Sequence, residues 1–281
     1  MCEVVSAANR PSSGLTRRKL LLLSVGAGLV PFTQACGGRH DHTAEVFSSP
    51  GTSTPSEVAP PSVQVASTPA STAAGPSQAV GLAKQPTPLL CRDAWGASPI
   101  RPGGRKHILD RMTLHHSAVV FDDNRQMAVR LREHQRNHQD VQGWIDIAYH
   151  VAVDREGNLF ELRPADLAGD TATNYDPTGH FLVLVEGNFE EQPVTEAQLQ
   201  GAALAFAWGA QRYGLSTKTI LGHQDVPAAT ACPGAALEAY ITNGRLKERV
   251  DSILAQGPVP VQKICGPEAA TIVAGVEAGI R

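Results

Sequence analysis

Residues 143–162 read GWIDIAYHVAVDREGNLFEL, with Ile147 to Val153 and Asn158 to Leu162 rich in β-branched and apolar residues on either side of Glu156-Gly157. Two such runs around a turn dipeptide predict a β-hairpin. Outward from it, Met112 to Ser117 has the same make-up. Phe181 to Val185 is a short unbroken apolar run suited to a buried strand, and Thr219 to Leu221 is a shorter one ahead of Gly222-His223.

The segments between these runs have a helical period. Thr195-Glu196-Ala197-Gln198 has the form of a capping box and opens a run with Leu199, Ala202, Ala203, Phe206 and Ala210 on one side, which Gly214 ends. Arg125 to Gln139 sets Met127, Val129 and Leu131 among long polar residues, with Asp123 or Asn124 as its N-cap. Gly234 to Leu254 carries Leu237, Tyr240, Ile241, Val250, Ile253 and Leu254 on its apolar side. Strands interleaved with helices predict a mixed α/β fold, a central mixed β-sheet of about five or six strands flanked by helices.

The chain of 281 residues is uneven in composition. Thr16-Arg17-Arg18-Lys19 precedes the mostly apolar Leu20 to Phe32, too short to span a bilayer, so residues 1–36 read as an export signal. The paired arginines resemble a twin-arginine signal, with an ordinary secretory signal as the alternative. Cys36, followed by Gly37-Gly38, is a candidate lipid-carrying residue that would attach the protein to a membrane, although Thr33-Gln34-Ala35 matches a lipidation site poorly. Residues 37–88, rich in Ser, Thr, Pro and Ala, read as a disordered linker. Residues 89–256 form the patterned body, expected to be monomeric, and 257–281 a C-terminal tail.

A net charge of −3 with no Lys/Arg stripe excludes the electrostatic footprint of a nucleic-acid binder. The five cysteines are Cys2, Cys36, Cys91, Cys232 and Cys265. Export to an oxidising compartment permits disulfides. Cys91 and Cys265 flank the patterned body, and a bridge between them would tie the tail back to its start.

Three segments far apart in sequence each hold a good zinc ligand: Leu114-His115-His116-Ser117, Gly222-His223-Gln224-Asp225 and Ala231-Cys232-Pro233-Gly234. Three ligands of this kind leave one position open, and such a zinc polarises a carbonyl and lowers the pKa of its water to about 7, which suits amide hydrolysis. Alternate residues of a strand face opposite ways, so His115 and His116 cannot both serve one site, and spacing alone does not choose between them.

Five pieces now stand in order: Trp95-Gly96-Ala97, the strand with the paired His, Gly143-Trp144 before Asp146-Ile147-Ala148-Tyr149-His150, Gly187-Asn188-Phe189, and GHQDV with TACPG at 222–226 and 230–234. As a set they resemble the peptidoglycan recognition proteins and the related phage-type amidases of the type 2 amidase domain. The resemblance implies that His115, His223 and Cys232 bind zinc, that Tyr149 contacts the developing oxyanion, and that Thr230 lies near the reacting carbonyl. It implies hydrolysis of the amide between N-acetylmuramoyl residues and L-alanine, with bacterial peptidoglycan or muropeptides as partner. Receptor-like members lack the cysteine that Cys232 supplies here.

Some related amidases use a Glu on the strand that ends Leu184-Val185-Glu186-Gly187, which makes Glu186 a further candidate, as a proton carrier. The chain departs from its relatives in Gln224, in a longer His223-to-Cys232 interval that an extra residue in Val226 to Ala229 would absorb, and in Ala168-Gly169-Asp170-Thr171 where relatives show Gly-Ala-His. His116, His150 and His180 read as structural residues, His134 and His138 as a structural pair on a helix face near the groove, Trp95 and Trp144 as packing residues either of which could line a sugar site, and Asn174 and Tyr175 as loop residues that could meet substrate. A non-catalytic peptidoglycan-binding module and a two-carboxylate glycosidase are the competing functions.

Overall fold

The computed structural model describes residues 85–226 and 229–281. The export signal, Cys36, nearly all of the 37–88 linker and the middle of the Val226 to Ala229 loop lie outside the described residues. Within them, β1 (Thr87–Leu90), β2 (Arg111–His116), α1 (Met127–Arg136), β3 (Val151–Val153), β4 (Leu159–Glu161) and β5 (His180–Val185) precede α2 (Glu196–Tyr213). Then follow β6 (Ile220–Gly222), α3 (Ala235–Thr242), α4 (Arg245–Ala255), β7 (Val261–Ile264) and α5 (Gly266–Glu277).

The seven strands form one mixed sheet in the order β6-β2-β5-β3-β4-β1-β7. β3 and β4 are the antiparallel hairpin, whereas β2 runs parallel to both β5 and β6. A central parallel strand is covered on both faces, and β5 is accordingly buried along its whole length. Met112, Leu114, Val183 and Val185 face a core shared with α2, α3 and α4; Ala152 and Leu184 face a second core shared with α1 and α5.

α2 begins as its sequence dictates: Thr195 accepts from the Gln198 amide, the Gln198 side chain returns the bond, and Gly214 ends the helix at φ 70°. Its small residues let it lie close to the hairpin. A Cβ at Gly201 would sit 2.6 Å from Val153 Cγ1 and 2.9 Å from the Gly157 backbone.

Five expectations need correction. The sheet has seven strands where five or six were expected, because β1 and β7 are short outer strands without an apolar alternation. β1 begins at Thr87, inside the stretch read as linker, and residues 257–281 are not a mere tail, since they supply β7 and α5. The strand expected from Ile147 shrinks to Val151–Val153. Upstream of it the backbone is claimed by side chains: Arg163 donates to the carbonyls of Asp146 and Ile147 at 2.9 Å, and His138 Nδ1 accepts from the Ala148 amide at 3.1 Å. The helix expected over Arg125 to Gln139 is α-helical only in α1, with a 3-10 turn before it and a π turn, Asn137–Val141, after it.

The parallel pairing of β1 with β7 has a covalent consequence. The register Leu90↔Ile264 leaves Cys91 and Cys265 opposite one another, Cα atoms 5.0 Å apart, and they are joined as a disulfide.

Gly201→Ala is expected to destabilise the protein by about 1–3 kcal/mol through overpacking, against the roughly 1 kcal/mol that helix propensity favours. Urea unfolding followed by circular dichroism tests it; a gain in stability would show that α2 can move off the hairpin freely.

Candidate functional site

β2 and β6 run parallel in the register Leu114↔Gly222, so His115, still within β2, and His223, the first residue past the end of β6, come next on adjacent chains. Their rings lie 4.6 Å apart between centroids. The chain turns tightly after β6, with Asp225 accepting from the Gly222 amide at 2.8 Å, which keeps His223 at the strand end. Cys232 reaches the same place from another direction: its carbonyl accepts from the Gln224 amide at 2.7 Å, and its sulfur accepts from the His116 amide at 3.4 Å.

The ligand atoms of His115, His223 and Cys232 all lie within 4.8 Å of one another, and all three residues are buried. The pleat of β2 sends the ring of His116 the other way, where its Nδ1 accepts from the Phe189 amide at 3.4 Å. Gly234 is required here. At φ 89°, a Cβ would meet the Phe189 backbone at 2.7 Å and His116 Nδ1 at 2.9 Å, so any side chain would push Cys232-Pro233-Gly234 off the strand end.

The donor set fits a zinc ion. Burial holds His115 well below the usual imidazole range and His223 down to about 4, so both rings present a lone pair at neutral pH. Burial also pushes the Cys232 thiol up to about 12, a cost that a bound cation offsets by taking the thiolate. His115 Nδ1 lies 3.6 Å from the Cys232 sulfur, and its buried Nε2 has no hydrogen-bond partner.

Around this triad lies a groove of about 290 Å³ whose wall includes Tyr149, His138, Trp144, Thr230, Asp170 and Thr173. The Tyr149 ring stands 5.1 Å from that of His115, and its phenol is held protonated by desolvation and then by the nearby Cys232. Thr230 Oγ1 accepts from the Cys232 amide at 3.1 Å, so it braces the cysteine from the groove wall.

His138 and Trp144 meet across 4.8 Å on this wall; His138 reaches it from the π turn, and of the two tryptophans that could line a sugar site it is Trp144 that borders the groove. Trp95 is a packing residue, fully buried with its Nε1 donating to the Glu161 carbonyl at 2.8 Å. Tyr175 places its ring 4.8 Å from that of His223. Thr173, whose hydroxyl meets His223, carried no sequence signal, since loop threonines are common.

Glu186 is the candidate that the structure moves out of the groove. Its carboxylate is fully buried, 3.1 Å from His134 Nε2 and 3.4 Å from Arg130 Nε, because the strand end carries it under α1. A proton carrier must reach the reacting atoms, and this one is committed to α1.

Comparison with known proteins gives a consistent picture. The pattern of the N-acetylmuramoyl-L-alanine amidase family matches residues 105–235. The N-acetylmuramoyl-L-alanine amidase of Homo sapiens is 35% identical over 156 residues, which cover 52% of this chain and 26% of that protein. The endolysin of Enterobacteria phage K11 is 31% identical over 123 residues, covering 43% of this chain and 80% of the endolysin. The crystal structure of Drosophila peptidoglycan recognition protein SD superposes with a TM-score of 0.52 at 26% identity, covering 56% of this chain and 94% of that one. The chain thus spans about a quarter of its mammalian relatives and most of the phage enzyme.

Glu186→Gln is expected to cost about 1–3 kcal/mol of stability through a weakened buried hydrogen-bond network, while leaving any hydrolytic turnover intact below the melting temperature. Loss of turnover with stability preserved would return Glu186 to the catalytic set.

Proposed function

The chain belongs to the N-acetylmuramoyl-L-alanine amidase family, and from that membership we propose that it is a zinc-dependent hydrolase of the amide between N-acetylmuramoyl residues and L-alanine in peptidoglycan. The observation that carries this reading is the convergence of His115, His223 and Cys232 to within 4.8 Å at the base of a groove.

In this reading His115, His223 and Cys232 hold zinc, which supplies Lewis acidity that polarises the scissile carbonyl and makes water nucleophilic near neutral pH. Tyr149, kept protonated, donates a hydrogen bond where negative charge accumulates on the carbonyl oxygen. Thr230 fixes the Cys232 backbone and offers a neutral hydroxyl beside the substrate amide. His138 accepts the Ala148 amide at Nδ1, which keeps its ring proton on Nε2, and with Trp144 it forms a flat wall suited to a sugar or peptide face.

The same reading places the protein outside the cytoplasm, where its polymer is found. Arg17-Arg18 and the apolar run after them support export, and Cys36 supports attachment to a membrane by a lipid. The catalytic body acts as a monomer on wall polymer or on released fragments.

Digestion of purified sacculi by the full chain, read by mass spectrometry, tests the proposal. Free stem peptides with an intact glycan are the expected products; new reducing sugar ends would establish a glycosidase, and binding without cleavage a recognition module. Cys232→Ala should lose bound zinc and lower the rate by more than the roughly 10–100-fold that loss of a ligand's outer partner costs. A variant that cuts like the parent would refute the zinc mechanism.

Chelation should abolish activity and added zinc restore it. Because the thiolate and neutral imidazoles are the binding forms, zinc affinity should fall as pH falls, measurable by competition with a chromophoric chelator.

A further inference from the structure

His223 differs from His115 in having a side chain at its second ring nitrogen. Thr173 Oγ1 lies 2.9 Å from His223 Nε2, whereas the buried Nε2 of His115 has no partner. Thr173 is itself held in place: its Oγ1 is 2.8 Å from Thr171 Oγ1, and its backbone amide donates to that same oxygen at 3.1 Å. The segment is anchored upstream by Asp170, which accepts from the buried Arg163 at 2.6 Å.

Proton bookkeeping gives the contact a direction. A neutral imidazole has one N–H and one lone pair, and a hydroxyl has one proton and two lone pairs. If Thr173 donated to Nε2, the ring proton would sit on Nδ1 and close that nitrogen to a metal. If Nε2–H donates to Thr173, the hydroxyl proton needs another acceptor, and Thr171 Oγ1 is within reach. Thr171 then accepts twice, from the hydroxyl and the amide of Thr173, which its two lone pairs allow.

We propose that Thr173 is the positioning residue for His223: it accepts the Nε2 proton and so fixes the tautomer and ring rotation that turn Nδ1 toward a metal shared with His115 and Cys232. The assignment rests on the zinc reading above. A hydroxyl takes the place that a carboxylate or backbone carbonyl commonly fills behind a metal-bound histidine. It orients the ring without adding charge to a site that already carries the thiolate.

Thr173→Val, which keeps the β-branched shape, and Thr173→Ser, which keeps the hydroxyl, separate this role from a merely structural one. In the full chain, zinc affinity is measured by competition with a chromophoric chelator, the visible spectrum is recorded with Co(II) in place of zinc, and thermal unfolding is followed after metal removal. The valine variant should bind zinc roughly 10–100-fold more weakly, with a changed cobalt spectrum and an unchanged metal-free melting temperature. The serine variant should match the parent in all three.

Parent-like zinc affinity in the valine variant overturns the assignment alone, as does a metal-free destabilisation that serine fails to rescue. A parent that takes up no zinc overturns the metal reading, and this assignment with it.

Discussion

The site depends on one register, Leu114 of β2 against Gly222 of β6. The two run parallel, so the residues after the pair stand side by side: His115, still within β2, and His223, just past the end of β6. In open α/β sheets the carboxyl ends of parallel strands are where ligands bind, because the chain leaves the ladder there and side chains converge from different connections. A one-residue slip of β2 would exchange His115 for His116 and send every buried side chain of the strand to the opposite core. The two cores, packed on either face with α2 and α4 on one side and α1 and α5 on the other, hold that register. The same logic of parallel neighbours brings Cys91 and Cys265 together after β1 and β7.

Around the strand ends the backbone is irregular, and its polar groups are met by buried side chains instead of a ladder. Arg163, 1% exposed, serves the carbonyls of Asp146, Ile147 and Ala168 and the carboxylate of Asp170. Asp146, also buried, accepts from Arg92 at 2.7 Å and from Gln135 at 2.6 Å, which ties the segment before Tyr149 to α1 and to the turn that follows β1. An unpaired charge in this position would be strongly destabilising, so the network is kept whole or not at all. Its effect on the site is stiffness: one guanidinium ties the 146–147 backbone just before Tyr149 to Ala168 and Asp170, and both segments border the groove.

Much of this was legible in the sequence. The hairpin around Glu156-Gly157, the strand through His115, the buried run at 181–185 and the capped helix from Thr195 follow from period and turn chemistry, which act over a few residues. β1 and β7 were not legible, because Thr87–Leu90 contains a proline and Val261–Ile264 sets two adjacent polar residues between its apolar ends, so neither shows an apolar alternation. The strand expected from Ile147 failed for a related reason: its composition favours extension, but Arg163 and His138 occupy the groups a ladder would need.

For the site, the sequence by itself determined the candidate ligand types and their order, since His115, His223 and Cys232 each stand in a recognisable local motif and the motif set points to one family. Tertiary structure gives the strand parity that turns His115, and not His116, toward His223 and Cys232, where spacing left the choice open and the resemblance implied it; it also sets Glu186 under α1, His138 and Trp144 on the groove wall and Thr173 behind His223. The physical reason is range. A motif records what a residue and its near neighbours can do, whereas a hydrogen bond between residues 50 positions apart, as between Thr173 and His223, exists only once strand register and helix packing have brought the segments together.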